Sequence, residues 1–297
     1  MQITNLTRLP EPLVNAVSQK REPRRGMISV TELISPPQMR ALTLKHWTEL
    51  TEDAADRIWA TMGQLMHKLL EEHGREASEH LIEHTLTSEV EGLTVTGTLD
   101  LYRSDGGVLT DYKFVSVWTT IDGVKREWEQ QLNLYAELLR RHGHAVNRLE
   151  IVAIYRDWSK MRAQDSSYPQ SQVCVFEVPL WSEAEAARFL EERVRLHKQA
   201  EEGSFIECTP DERWERPTRY ALMKRGRKSA LKLFDKHEEA EAAVSHSDQY
   251  VEMRPGSSTR CEFYCSVSAF CPQRARTTRE STEELKATDP TPLDASF

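Results

Sequence analysis

A two-residue turn signal constrains this chain more than any other feature. Asp105-Gly106 stands between two runs with the period of a strand. On one side Leu93, Val95, Leu99 and Leu101 alternate with Thr94, Thr96, Thr98 and Asp100, and on the other lies Gly107 to Val115. Alternation of this kind across Asp-Gly predicts a β-hairpin. With Asp105 and Gly106 as the loop, Ser104 faces Gly107, and counting back sets Asp100 opposite Asp111. Thr98 and Lys113 then share their face. Two carboxylates placed directly opposite repel each other unless a proton or a cation lies between them. The hairpin therefore reads as a divalent-metal site with a lysine beside it. The plain alternative is a solvated strand face carrying three charges.

The rest of the sequence narrows the classes of function. The 297 residues are 39% hydrophobic and 29% charged, the balance of a globular protein able to bury a good core. No apolar run has the length of a membrane span, and Met1 to Pro12 has no signal-peptide core, so a cytoplasmic location is expected. The net charge of −8 argues against a purely electrostatic nucleic-acid binder. Basic clusters do occur, at Lys20, Arg21, Arg24 and Arg25 and at Lys224, Arg225, Arg227 and Lys228. There is no Gly-rich phosphate loop ending in Gly-Lys-Ser/Thr, so no ATP motor is expected.

In chain order, residues 1–26 read as an N-terminal arm, rich in proline and charge. A helix is predicted from Glu52 to His73, with Met62, Leu65, Met66, Leu69 and Leu70 as a core-facing stripe. Gly63, His67 and Glu71 fall four apart on its flank. A glycine there permits close approach of a second backbone, and a histidine there can reach into a cleft. After the hairpin, Lys125 to Gly143 is a second amphipathic helix, with Trp128, Leu132, Tyr135, Leu138 and Leu139 inward. Gln131 lies within that inner face, where an unpaired amide would cost ~1–3 kcal/mol. Gln131 and Tyr135, one turn apart, can present polar tips to a shared groove. Strands follow at Leu149 to Tyr155 and Gln172 to Pro179, then a helix from Ser182 to about Glu202. This order predicts an α/β fold, a mixed central sheet flanked by helices, over residues 27–203.

Beyond Gly203 the character changes. Residues 204–276 are short of apolar residues but carry Cys208, Cys261, Cys265 and Cys271. Four soft ligands suit a tetrahedral zinc or an iron–sulfur cluster, and such a staple would hold a segment unable to fold unaided. Cys271-Pro272 resembles the Cys-Pro that ends many cluster-binding runs, which favours a 4Fe–4S cluster over Zn²⁺. Cys174, between Val173 and Val175, reads as a core residue. Residues 277–297 read as a disordered tail.

Four short motifs occur in one order: Gly63-x-x-x-His67-x-x-x-Glu71, Gly97-Thr-Leu-Asp100, Asp111-Tyr-Lys113, and Gln131-Leu-Asn-Leu-Tyr135. Together they resemble the RecB-like branch of the PD-(D/E)XK nuclease superfamily over roughly residues 29–200. The trailing cysteines are similar to those of members with an iron–sulfur staple, among them CRISPR-associated and phage-encoded nucleases. Those relatives place one cysteine ahead of the nuclease core, whereas this chain has none before Cys174 and offers Cys208 instead.

The resemblance implies a restriction-endonuclease-like core and hydrolysis of DNA, as an exonuclease or end-processing enzyme on single strands or duplex ends. It implies that Asp100, Asp111 and His67 hold Mg²⁺ or Mn²⁺ with the Tyr112 carbonyl, and that Lys113 acts on the attacking water. Gln131 and Tyr135 would position the DNA strand, and Glu71 would hold a water or His67. The competing expectation is a DNA-binding protein for recombination, packaging or defence that keeps the fold with little activity.

Overall fold

The computed structural model describes residues 1–19, 22–74 and 80–278. The chain divides into two compact units, Met1–Ile206 and Glu207–Phe297.

The first unit runs β1 (Gln2–Thr4), α1 (Glu11–Val17), β2 (Met27–Ser29), α2 (Val30–Leu33), α3 (Pro37–His46), β3 (Thr51–Asp53), α4 (Ile58–Gly74), β4 (His80–Val90), β5 (Leu93–Arg103), β6 (Val108–Val115), α5 (Arg126–Arg141), β7 (Arg148–Tyr155), β8 (Val173–Val178) and α6 (Glu183–Glu201). It is a mixed α/β unit with a six-stranded mixed sheet flanked by helices, as expected. Along the sheet the order is β2-β5-β6-β7-β8, with β4 also paired to β5. β6 and β7 are parallel, and β8 returns antiparallel to β7.

The hairpin has the predicted register: Leu101 pairs with Thr110, Tyr102 with Leu109 and Arg103 with Val108. Continuing that ladder by one step sets Asp100 opposite Asp111. Gly107 closes the turn at φ +61°, where a Cβ would also meet the Asn147 side chain at 2.6 Å. β4 antiparallels β5 along its length, whereas the other edge of β5 is shared. β2 takes Thr94 to Thr96 and β6 takes Leu101 to Arg103, so Gly97 to Asp100 have no strand partner on that edge. This opening lies where the functional candidates gather.

The core is built on α5, whose residues from Leu132 to Leu139 are all buried. They pack with Val95 and Leu99 of β5, Leu149 and Ile151 of β7, and Leu190 and Val194 of α6. Gly97 lets this helix approach the sheet. A Cβ there would stand 2.8 Å from both Leu138 Cδ1 and Tyr135 Cε1.

Several expectations are corrected. Residues 1–26, expected as an arm, contribute β1, which pairs with β3, and the helix α1. The predicted helix from Glu52 begins at Ile58, because Thr51–Asp53 is taken by pairing with β1 and Ala54–Arg57 forms a 3-10 turn capped by Asp53. The apolar stripe of α4 does not face the core: Met62, Leu65 and Leu69 are 43%, 56% and 49% exposed. Periodicity shows that a helix has an apolar side, not that anything covers it. No backbone approaches Gly63, whose Cβ would meet nothing within 4 Å.

The second unit also departs from expectation, since Gln249–Arg254 (β12) and Lys232–Phe234 (β11) flank Arg219–Lys224 (β10) in a three-stranded antiparallel sheet. The short α7 (His237–Ala242) packs on it, and Glu215–Arg216 (β9) pairs with Ser257–Ser258 (β13). Within this unit the buried apolar residues are Ala221, Leu222, Met223, Ala240 and Val267, a thin core. The predicted disordered tail lies, from residue 279 on, outside the described residues; 277 and 278 end a helical turn. No helix among the described residues is long and apolar enough to cross a membrane.

Candidate metal site and lysine cradle

β5 and β6 bring Asp100 and Asp111 together, both nearly buried at 9% and 3% exposed. Asp100 Oδ2 accepts the backbone N–H of Tyr112 at 2.7 Å, which fixes the carboxylate across the hairpin. The expected role of the Tyr112 carbonyl is thus joined by an observed one for its N–H. His67 enters from α4, its Nδ1 3.4 Å from Asp100 Oδ1.

His67 has a second partner that the sequence reading missed. Its Nδ1–H donates to Glu83 Oε1 at 3.1 Å. Glu71 lines a cleft of about 450 Å³ together with Glu83, Asp100 and Tyr112 of the site. Glu83 lies on β4, a strand whose first half has no clear alternation. A usable signal existed nearby: Glu91-Gly92, both at positive φ, form a two-residue hairpin loop between Val90 and Leu93.

Hydrogen bonds to Asp100 and Glu83 push the His67 imidazole up to about 10, so without a metal it is the cation between two carboxylates. Burial pushes Asp111 up to about 6, against the pull of Lys113. His67, Glu83 and Asp100 offer ligand atoms that lie within 4.8 Å of one another, a set that could hold a metal ion. Asp111 Oδ2 is buried and accepts no hydrogen bond among the described residues, although the Lys113 ammonium lies 2.8 Å away as an ion pair. Carboxylates with one imidazole fit a hard or borderline divalent cation.

Lys113 is held from two sides. Besides Asp111, its Nζ donates to Gln131 Oε1 at 2.8 Å, and Gln131 Nε2 donates to the Tyr135 hydroxyl at 3.0 Å. The amide that needed a partner therefore has one at each end. Burial raises the Tyr135 phenol well above its ordinary value, so it stays protonated. Gln131 reaches the lysine, and Tyr135 holds the far end of its amide.

Elsewhere in this unit, exposed aromatic rings carry cations. The Arg156 guanidinium lies 4.6 Å from the centroid of Trp59, and that of Arg162 5.9 Å from Trp118. Trp59 and Trp118 are 54% and 60% exposed.

In the second unit the four cysteines are all half-buried. Burial, then the charges of Glu212, Cys271, Cys261 and Cys265, pushes the Cys208 thiol up to about 12. Burial first and neighbouring thiols after it likewise raise Cys261 and Cys265. The Gln273 side chain clamps the Cys208 backbone, accepting from its N–H at 2.9 Å and donating to its carbonyl at 3.0 Å. Cys174, on β8 of the first unit, packs against the cluster of Val117, Ala153, Tyr155 and Tyr168.

No protein-family model matches the chain, and no curated protein does. Among solved structures it is similar to that of SSO0001, at 17% identity and a TM-score of 0.48, covering 88% of this chain and 92% of that one. A likeness at that level carries no argument about activity.

Proposed function

We propose that the chain is a metal-dependent deoxyribonuclease of the PD-(D/E)XK, RecB-like type, acting as an exonuclease or end-processing enzyme. The observation that carries the reading is the tethered lysine. Lys113 Nζ lies 2.8 Å from both Asp111 and Gln131, on the strand that faces Asp100. A protein that only binds DNA has no need for an ammonium anchored beside an aspartate pair.

Asp100, Asp111 and His67 would hold Mg²⁺ or Mn²⁺. Such a cation supplies Lewis acidity to a phosphodiester oxygen and to water. The chain's own residues do the rest. Lys113 sets a positive charge where negative charge builds up on phosphorus and orients the attacking water. Gln131 and Tyr135 fix the lysine in place before substrate arrives, so no reorganisation is needed at the moment of reaction. Trp59 and Trp118, each with an arginine over it, supply faces on which unpaired bases can stack. That favours single strands or frayed ends as substrate.

The four cysteines are proposed to hold a 4Fe–4S cluster, with Zn²⁺ as the alternative. One observation supports a metal group: the thin apolar core of the second unit among the described residues. Zinc, with bonds of about 2.3 Å, would need its sulfurs within roughly 4 Å of each other. The ligand atoms found within 4.8 Å of one another belong to the first unit instead. A colourless anaerobic preparation with stoichiometric zinc would exclude the cluster.

The nuclease reading is tested with labelled single-stranded and duplex DNA and Mn²⁺, wild type beside Lys113→Ala. Cleavage by the wild type and a loss of at least ~100-fold in the variant are expected. DNA binding without cleavage by the wild type would replace the enzyme with a binding module.

A further inference from the structure

We propose that Glu83 is itself a ligand of the divalent cation, the third carboxylate of a row crossing β4, β5 and β6. The inference rests on the metal site of the preceding section and adds a residue that none of the motifs contains.

Two turns build the row. The Glu91-Gly92 loop pairs Val90 with Leu93, and the ladder counts back through His84 opposite Leu99 and Ile82 opposite Leu101. The position between those pairs sets Glu83 opposite Asp100. The second turn, by the register Leu101 with Thr110, sets Asp100 opposite Asp111. Three neighbouring strands thus present a carboxylate at one level. Neither the Glu83–Asp100 pair nor the Asp100–Asp111 pair takes part in the ladder, although the residues beside each do. At this level β5 is released from pairing with both neighbours, while Asp111 keeps its pairing with Ile151 of β7.

Glu83 adopts φ +44°, a left-handed conformation that only four non-glycine residues share among those described. A residue of that shape inside an eleven-residue strand is a local departure that the neighbouring pairs hold in place. Its carboxylate is largely covered, the side chain 21% exposed, and touches the His67 imidazole.

Opposed like charges oppose folding. Three of them in a row, with His67 and Lys113 as the flanking cations, leave a concentration of negative charge that a divalent ion would balance. Independently of the row, His67, Glu83 and Asp100 offer ligand atoms that all lie within 4.8 Å of one another. The ligand class is a hard or borderline divalent metal, with the imidazole favouring Mn²⁺ over Mg²⁺. Glu83 would then ligate alongside Asp100, Asp111 and His67, with Lys113 left for the scissile phosphate.

The test uses the metal-free full chain titrated with Mn²⁺ by calorimetry, with water-proton relaxation to count waters on the bound ion. Glu83→Ala should weaken binding at least tenfold and add a water to bound Mn²⁺. Glu83→Gln, which keeps an acceptor for the His67 N–H, should also weaken binding and should melt no lower than wild type without metal. Affinity and water count unchanged in both Glu83 variants would overturn the proposal and leave the nuclease reading intact. Loss of affinity in Glu83→Ala alone, with Glu83→Gln equal to wild type, would make Glu83 a positioning residue for His67 and also overturn it. Binding as expected without DNA cleavage by the wild type would sink the nuclease reading alone.

Discussion

Lys113 on β6 and Gln131 on α5 are joined by a 2.8 Å hydrogen bond across the helix–sheet interface, and Tyr135 holds the far end of the same amide. The relationship makes Gln131 a support for the lysine. Gln131→Leu keeps the volume and removes both bonds. It should lower kcat for DNA cleavage by roughly 10–100-fold, the order of cost for a group displaced by about an ångström. KM should hold within about twofold. Steady-state kinetics decides the role: a variant with normal kcat and raised KM would show that Gln131 contacts the strand instead.

The tryptophan faces give a prediction that avoids the metal. Trp118→Ala, placed in a Lys113→Ala background to prevent cleavage, should weaken binding of a short single strand by ~1–3 kcal/mol, or roughly 5–150-fold. Fluorescence anisotropy measures it directly. Equal affinity for the two proteins would remove Trp118 from the substrate path.

Two glycines of the motifs should behave oppositely. Gly97→Ala drives a methyl to 2.8 Å from Leu138 and Tyr135, so it should destabilise by about 1–3 kcal/mol. Gly63 lies mid-helix with open space around it, so Gly63→Ala should stabilise by about 1 kcal/mol. Urea midpoints of the two variants test both signs.

His197 predicts acid sensitivity far from the site. It is fully buried on α6, with Nε2–H donating to the Leu33 carbonyl at 3.1 Å. Burial, aided by the Arg193 charge, pushes it down to about 3. The unfolded chain therefore takes up a proton that the folded one refuses between pH 6.5 and 3, and the stability present above pH 6.5 is lost as pH falls through that window. From pH 7.5 to 5 the loss from this group is about 2 kcal/mol. His197→Gln should lose that much less than wild type over the same change, in urea melts at the two pH values.

Much of the fold was legible because it is written in local period and turn chemistry. The Asp105-Gly106 turn gave the hairpin register, and the inner face of α5 was readable from Trp128 to Leu139. β4 was missed because its first half, His80-Leu-Ile-Glu-His, has no alternation. It is a strand because β5 offers it a partner along its whole length. The α4 stripe misled for the complementary reason: its period was right, but the sheet covers Met66 and Leu70 only in part and leaves Leu65 and Leu69 in solvent.

The sequence by itself determined that Asp100 and Asp111 oppose each other with Lys113 on their face, since a two-residue loop and a period of two leave no other register. Only the tertiary structure decided what surrounds them. It brought Glu83 to His67 and turned Gln131 towards the lysine. Those choices depend on how a kinked strand and a buried helix meet the hairpin, and contacts between elements distant along the chain leave no mark in the spacing of either.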